Sequence, residues 1–196
     1  MKRIVVLGSG EGTNFTAIVE HLRAKKLEVE IYVISDVEGS GILKRAKTYG
    51  IPGELIDRRL KKEERNLLLF KRLIELAPDL IALAGYMCIL PPLIVKAFFK
   101  KIINIHPALL PALKGAHAIE DALRYGVKWT GVTVHYVDEG VDTGPIIAQI
   151  PVPVYENDTL ETLTLRIHEA EHFIYPLVIE KILRGEKIEG TFKHKQ

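Results

Sequence analysis

Through its first half the chain alternates short apolar runs with amphipathic stretches. Ile4–Leu7 is a continuous apolar run closed by glycines, the pattern of a strand covered on both faces. Phe15–Leu22 then has helical spacing. Glu28–Ile34 reads Glu-Val-Glu-Ile-Tyr-Val-Ile and ends at Ser35-Asp36, which predicts a second strand. Gly41–Tyr49 predicts a helix stopped by Gly50, and Glu54–Ile56 a short third strand. Glu63–Leu76 has helical periodicity and ends before Pro78, and Asp79–Ala84 is again an apolar run, stopping at Gly85. A proline at Pro91 or Pro92 suits the first position of a short helix reaching about Phe98, and Ile102–Ile105 is a further strand. Strands alternating with helices to about residue 106 argue for a parallel sheet with helices on both faces.

The second half changes character. Gly131–Val137 and Ile146–Val154 read as strands joined by the hairpin-like loop Asp138–Pro145, and Pro151 and Pro153 push the second strand toward a sheet edge. Asp158-Thr-Leu-Glu161 predicts a capping box opening a long helix. Its apolar stripe is Leu160, Leu163, Ile167, Ala170, Ile174, Leu177 and Val178, with a kink expected at Pro176. The stretch 112–130 is expected to be a mobile, glycine-containing loop. No composition break separates domains, so a single domain over 1–196 is expected.

Composition narrows the class. With 196 residues, 47% apolar content and a net charge of +2, the chain reads as one soluble globular domain. Its charges are spread, so no nucleic-acid footprint is expected. The single cysteine, Cys88, excludes an internal disulfide and a cysteine-based zinc site, and fits a cytoplasmic location. The N-terminal apolar run is too short for a signal peptide, and no stretch of about 18 apolar residues exists to span a membrane.

Two segments carry candidate chemistry. Gly8-Ser-Gly-Glu-Gly-Thr-Asn14 leads from the first strand into a helix, where glycines and free N–H groups can cradle a phosphate. The spacing is neither the dinucleotide fingerprint nor a Walker loop. Glu11 would repel a phosphate and is expected to face solvent. Further along, Asn104 and His106 sit two apart at the end of a strand, hence on one face. Strand carboxyl ends are where parallel sheets place ligands. An amide donor beside an imidazole suits acyl transfer, the amide bonding an oxyanion while the histidine moves a proton. Asp138, Glu139 and Asp142 compete for the role of assisting carboxylate.

A third motif competes. His168-Glu-Ala-Glu-His172 is a literal H-E-x-x-H on a helix, the zinc-peptidase signature. It needs a third ligand, for which Glu180, Glu186, Glu189 and His194 are on offer. No metal is expected. Glu171 borders the apolar stripe of the same helix, so its carboxylate either pairs with a cation or faces a cavity.

Together these residues resemble the glycinamide ribonucleotide formyltransferases, folate-dependent enzymes of purine synthesis. The likeness runs from Val5 to about Leu183. It rests on Gly10-Glu-Gly-Thr-Asn14, Leu83-Ala-Gly-Tyr-Met87, Asn104-Ile-His-Pro-Ala-Leu-Leu-Pro111, Gly131-Val-Thr-Val-His135, Asp142-Thr-Gly-Pro-Ile146 and Glu171-His-Phe-Ile-Tyr-Pro176. The resemblance implies a single-domain α/β fold with a mixed, mostly parallel sheet. Residues 1–100 would form a Rossmann-like phosphate-binding half and 101–185 a catalytic and folate-binding half. It implies formyl transfer from 10-formyltetrahydrofolate to the substrate amine, with Asn104 stabilising the oxyanion, His106 shuttling the proton and Asp142 raising the His106 pKa. Gly12, Thr13 and Asn14 would bind the phosphate and Glu171 the amine. Met87, Cys88, Ile89 and Leu90, with Val137, Asp138, Glu139, Gly140 and Val141, would line the folate pocket.

Two departures stand out. The family usually has arginine where Cys88 stands, and the basic residue gripping the folate tail is hard to align; Lys62 is the first choice and Arg65 the second. His117 matches a family histidine near the substrates. Methionyl-tRNA formyltransferase and formyltetrahydrofolate hydrolase share the Asn-His-Asp set, but each is expected to need an extra domain for which this chain has no room. A zinc peptidase and a non-catalytic nucleotide-binding domain remain as readings from other classes. Small-molecule substrates are expected, on a monomer or a homodimer.

Overall fold

The computed structural model describes residues 1–190. In chain order it contains β1 (Lys2–Gly8), α1 (Thr13–Ala24), β2 (Val29–Ser35), α2 (Gly41–Thr48), β3 (Gly53–Leu55), α3 (Lys62–Leu76), β4 (Leu80–Leu83), α4 (Pro92–Ala97), β5 (Ile102–His106), α5 (Ala118–Tyr125), β6 (Trp129–Tyr136), β7 (Ile146–Pro153) and α6 (Leu160–Arg184). The strands form one seven-stranded sheet in the order β3-β2-β1-β4-β5-β6-β7. Strand β1 pairs in parallel with β2 and with β4, β2 in parallel with β3, and β6 antiparallel with β7. This is the mostly parallel α/β sheet that the alternation of elements predicts. Internal contacts divide the chain into two compact units, Met1–Ile103 and Asn104–Gln196.

In the first unit Ile4, Val5, Val6 and Leu7 are fully buried, as an apolar run without alternation requires. Each such side chain contributes roughly 1.5–3 kcal/mol on leaving water. The β1–α1 turn packs tightly on α2. A Cβ on Gly12, where φ is +78°, would come within 2.7 Å of Ile42 Cα, and one on Gly41 within 2.6 Å of Glu11 Cα. The Ile42 N–H donates to the Gly10 carbonyl at 3.0 Å. Pro91 caps α4 and Pro92 occupies its first turn.

In the second unit β6 and β7 form the expected hairpin, with Pro151 and Pro153 on the edge strand β7. Helix α5 falls inside the stretch expected to be a loop. Only Ala118 and Ala122 are buried on it, so its apolar stripe is nearly invisible in the sequence. Its acidic first turn (Glu120, Asp121) and its left-handed cap at Gly126 are the signals that mark it. The capping box of α6 is shifted by one residue from the expected Asp158–Glu161: Thr159 is the N-cap and pairs reciprocally with Thr162. Asp158 braces the box from outside, accepting from the Thr162 hydroxyl and from Arg166 at 2.8 Å each and from the Tyr155 N–H at 2.7 Å. Helix α6 runs on through Pro176. Of the expected stripe, Leu163, Ile167, Ala170, Ile174 and Val178 are buried, whereas Leu160 at the first turn is exposed. No helix among the described residues is long and apolar enough to cross a membrane.

Candidate active site

The carboxyl end of β5 presents Asn104 and His106 on one face, as their spacing requires. His106 is buried. Its Nδ1 stands 3.3 Å from Asp142 Oδ2 and its Nε2 stands 2.7 Å from the Leu113 carbonyl. A carbonyl only accepts, so Nε2 carries a proton. With a carboxylate at Nδ1 as well, both ring nitrogens face acceptors, an arrangement that suits the imidazolium. Burial nevertheless pushes the His106 pKa below its ordinary value; the Leu113 carbonyl and Asp142 pull it up, and His135 pushes it down. Asp142 acts in the expected direction, and desolvation outweighs it.

Of the three acids left open by sequence, only Asp142 approaches the imidazole. Asp138 accepts from the Gly140 N–H at 3.0 Å and from the Thr143 hydroxyl at 2.6 Å, so it shapes the loop, and Glu139 is exposed. Asp142 has a left-handed backbone, φ +51°, a conformation uncommon outside glycine. The His135 ring, the Gly115 N–H at 2.9 Å and His106 hold its carboxyl down at about 2 against the effect of burial.

His135 was not among the expected site residues. Its Nδ1 stands 2.8 Å from the Tyr136 carbonyl, so this nitrogen carries the proton. In the neutral ring Nε2 is then an acceptor, to which Asn104 Nδ2 donates at 3.3 Å; Asp142 Oδ1, 3.6 Å from the same nitrogen, is its partner when the ring is protonated. Two partners thus select one tautomer and orient the Asn104 amide, whose second N–H is left for another acceptor. The register between β6 and β7 shifts between Val134 and His135, where Ile147 is the extra residue on β7. The available signal was Thr133-x-His135, a polar pair at strand spacing. Thr133 supports the loop after β5: its hydroxyl donates to the Ala108 carbonyl at 2.6 Å and accepts from the Leu110 N–H at 3.1 Å. Thr133→Val strips both buried backbone groups of this partner and is expected to cost about 1–3 kcal/mol, read from the denaturant midpoint.

The remaining expected residues are distributed as follows. In the first unit Gly12 is the N-cap of α1 and supplies no side-chain cap, followed by Thr13 and Asn14 in the first turn. Gly10 alone among Gly8, Gly10 and Gly12 has open space where a Cβ would stand. Gly12 therefore serves the packing on α2 besides any ligand. Glu11 is exposed, as expected. Met87 and Ile89 are exposed and Leu90 is buried. Lys62 is exposed at the start of α3, and Arg65 donates to the Arg58 carbonyl at 3.4 Å. In the second unit Val141 is exposed, Glu171 is buried on α6, and His117 is exposed as the N-cap of α5.

Among the described residues the zinc-peptidase arrangement is not assembled. His168 and His172 stack with ring centroids 6.1 Å apart, and Glu169 is exposed. Glu180 accepts from Arg184 at 2.9 Å, Glu186 stands 3.6 Å from Lys181, and His194 lies outside the described residues. No group of three or more potential metal-ligating side chains occurs among the described residues.

A family model described as formyl transferase matches residues 2–179, and the chain belongs to that family. Within it, the chain belongs with the phosphoribosylglycinamide formyltransferases. It is 43% identical over 196 residues to the protein of that name from Bacillus subtilis, covering 95% of this chain and 100% of that one. It is 40% identical over 186 residues to the human trifunctional purine biosynthetic protein adenosine-3, covering 93% of this chain and 18% of that longer protein. The crystal structure of the Bacillus halodurans phosphoribosylglycinamide formyltransferase superposes with a TM-score of 0.88 at 45% identity, covering 93% of this chain and 95% of that one. That of glycinamide ribonucleotide transformylase 1 from Symbiobacterium toebii gives 0.90 at 42% identity, covering 94% and 89%.

Proposed function

We propose that this protein transfers the formyl group of 10-formyltetrahydrofolate to the amine of glycinamide ribonucleotide. The products are formylglycinamide ribonucleotide and tetrahydrofolate, a step of de novo purine synthesis. The observation that carries the reading is the buried His106 set against Asp142, beside an Asn104 amide oriented by His135. The substrate amine attacks the formyl carbon and the carbonyl electrons move to oxygen. The free Asn104 N–H stabilises that oxyanion, joined by a protonated His106 once its Nε2–H leaves the Leu113 carbonyl for the substrate. The proton leaving the attacking nitrogen passes by way of His106 to N10 of the folate, which departs as the C–N bond breaks. Asp142 stays ionised and favours the protonated ring. Gly12, Thr13 and Asn14 hold the phosphate of the substrate and Glu171 its amine. Met87–Leu90 and Val137–Val141 receive the folate ring, with Lys62 or Arg65 at its tail. The reaction so written uses no metal, and both substrates are small molecules.

The test is turnover of 10-formyltetrahydrofolate with glycinamide ribonucleotide, with methionyl-tRNA and with water alone as acceptors. Fast release of tetrahydrofolate is expected only with the ribonucleotide. Equal rates without an acceptor would make the protein a hydrolase and overturn the reading, as would loss of turnover on removing zinc.

A further inference from the structure

One buried carboxylate in the first unit takes no part in the reaction as written. Asp36 directly follows β2, and its side chain is fully buried. Its Oδ1 accepts from the Ser9 hydroxyl at 2.6 Å. Its Oδ2 accepts from Arg58 Nε at 3.0 Å and Nη2 at 2.9 Å, and from the Cys88 thiol at 3.0 Å. Burial and the neighbouring Asp36 push the Cys88 thiol up, so it keeps its proton and donates.

The carboxylate also sets the direction of a relay. An ionised carboxylate only accepts, so the Ser9 O–H must point at it, which turns the serine lone pairs outward. The Met87 N–H donates to that oxygen at 2.9 Å, and the Ser9 N–H donates to the Gly85 carbonyl at 3.1 Å. Two consecutive residues are thereby tied to one group, Met87 through its backbone and Cys88 through its side chain. Two places on, buried Leu90 fixes the other end of the segment. Between these anchors Met87 and Ile89 are 68% and 74% exposed, open to a ligand. A buried ion pair serving stability alone would not need both a serine relay and a thiol bond to one short segment.

We propose that Asp36 is a positioning residue for the formyl donor, holding the Met87–Leu90 segment in its receptive conformation through Ser9 and Cys88. The inference rests on the reading that this segment receives the folate ring. In Asp36→Asn an NH₂ group must face the Arg58 and Cys88 donors, or else the Ser9 hydroxyl. The expected result is a KM for 10-formyltetrahydrofolate raised about ten-fold, the size of one charge-assisted hydrogen bond. The kcat at saturating donor and the KM for glycinamide ribonucleotide should each change less than about three-fold, because neither depends on this contact. Introduced into a Ser9→Ala/Cys88→Ala background, Asp36→Asn should add less than about two-fold, since its route of action is already gone. Proportional losses toward both substrates, or a lowered melting temperature with unchanged kinetics, would overturn the proposal. If Asp36→Asn does not fold, Ser9→Ala alone carries the test: a raised donor KM supports the proposal and an unchanged one overturns it. Amide hydrogen exchange over residues 86–90 with tetrahydrofolate separates the two readings. No added protection in the unmutated protein refutes the folate assignment. Protection that is present and equal in Asp36→Asn refutes the role of Asp36.

Discussion

Replacing His106 with alanine is expected to lower kcat by about 10²–10⁴-fold, the span for loss of a positioned proton-transfer group. The KM values should move little, because the imidazole acts on charge that develops after binding. The pH dependence adds a sharper test. Burial lowers the His106 pKa and Asp142 opposes that effect. Asp142→Asn removes the opposing charge and leaves the burial, so the pKa must fall further. Activity that needs the protonated ring disappears as pH rises through that pKa, so in Asp142→Asn this loss should occur at lower pH. The comparison is a kcat–pH profile of both proteins. A limb that stays in place, or moves to higher pH, would show that Asp142 does not act through His106.

What could be read ahead of the structure followed from physical periodicity. Ile4–Leu7 and Leu80–Leu83 are buried on both faces, so an unbroken apolar run marks them as surely as alternation marks a half-exposed strand. Asn104 and His106 were legible as a pair because two residues separate equivalent positions on a strand. The choice among Asp138, Glu139 and Asp142 was not legible. It depends on how the loop between β6 and β7 turns, and Asp138 proves to be the group that turns it, through Gly140 and Thr143. His135 was missed because its role depends on its contact with Asn104 across the sheet and on a tautomer set by the Tyr136 carbonyl, neither of which leaves a pattern in one sequence. Helix α5 hid for a different reason. Its buried face is built from two alanines, too small to produce a hydrophobic stripe.

The glycines of the β1–α1 turn show how one motif answers to two demands. Sequence alone suggested that they let the backbone approach an anion. At Gly12 and Gly41 the geometry is already dictated by the contact between this turn and α2, where a side chain would overlap Ile42 or Glu11. Only Gly10 faces open space. The glycine pattern is therefore weaker support for phosphate binding than it first appears, and the case rests more on the amides of the first turn of α1.

Asn104→Ala is expected to lower kcat by about 10²–10³-fold, the effect of deleting one donor to a tetrahedral oxyanion. Asparagine offers two N–H bonds at Nδ2, and His135 Nε2 takes one of them at 3.3 Å. The other is thereby aimed without needing to reorganise during the reaction. It follows that His135 should matter to catalysis chiefly through Asn104. His135→Phe keeps an aromatic ring but deletes the acceptor, freeing the amide to rotate, and should lower kcat in the otherwise unchanged protein. In the Asn104→Ala background the same change has no amide left to orient and should cost much less. Contacting residues coupled in this way show interaction energies of about 0.5–3 kcal/mol in a double-mutant cycle. Fully additive losses would mean that His135 acts by some other route, such as its 3.6 Å approach to Asp142. By either route His135→Phe removes a group that pushes the His106 pKa down, so the high-pH limb should move to higher pH and the cycle alone separates the two routes.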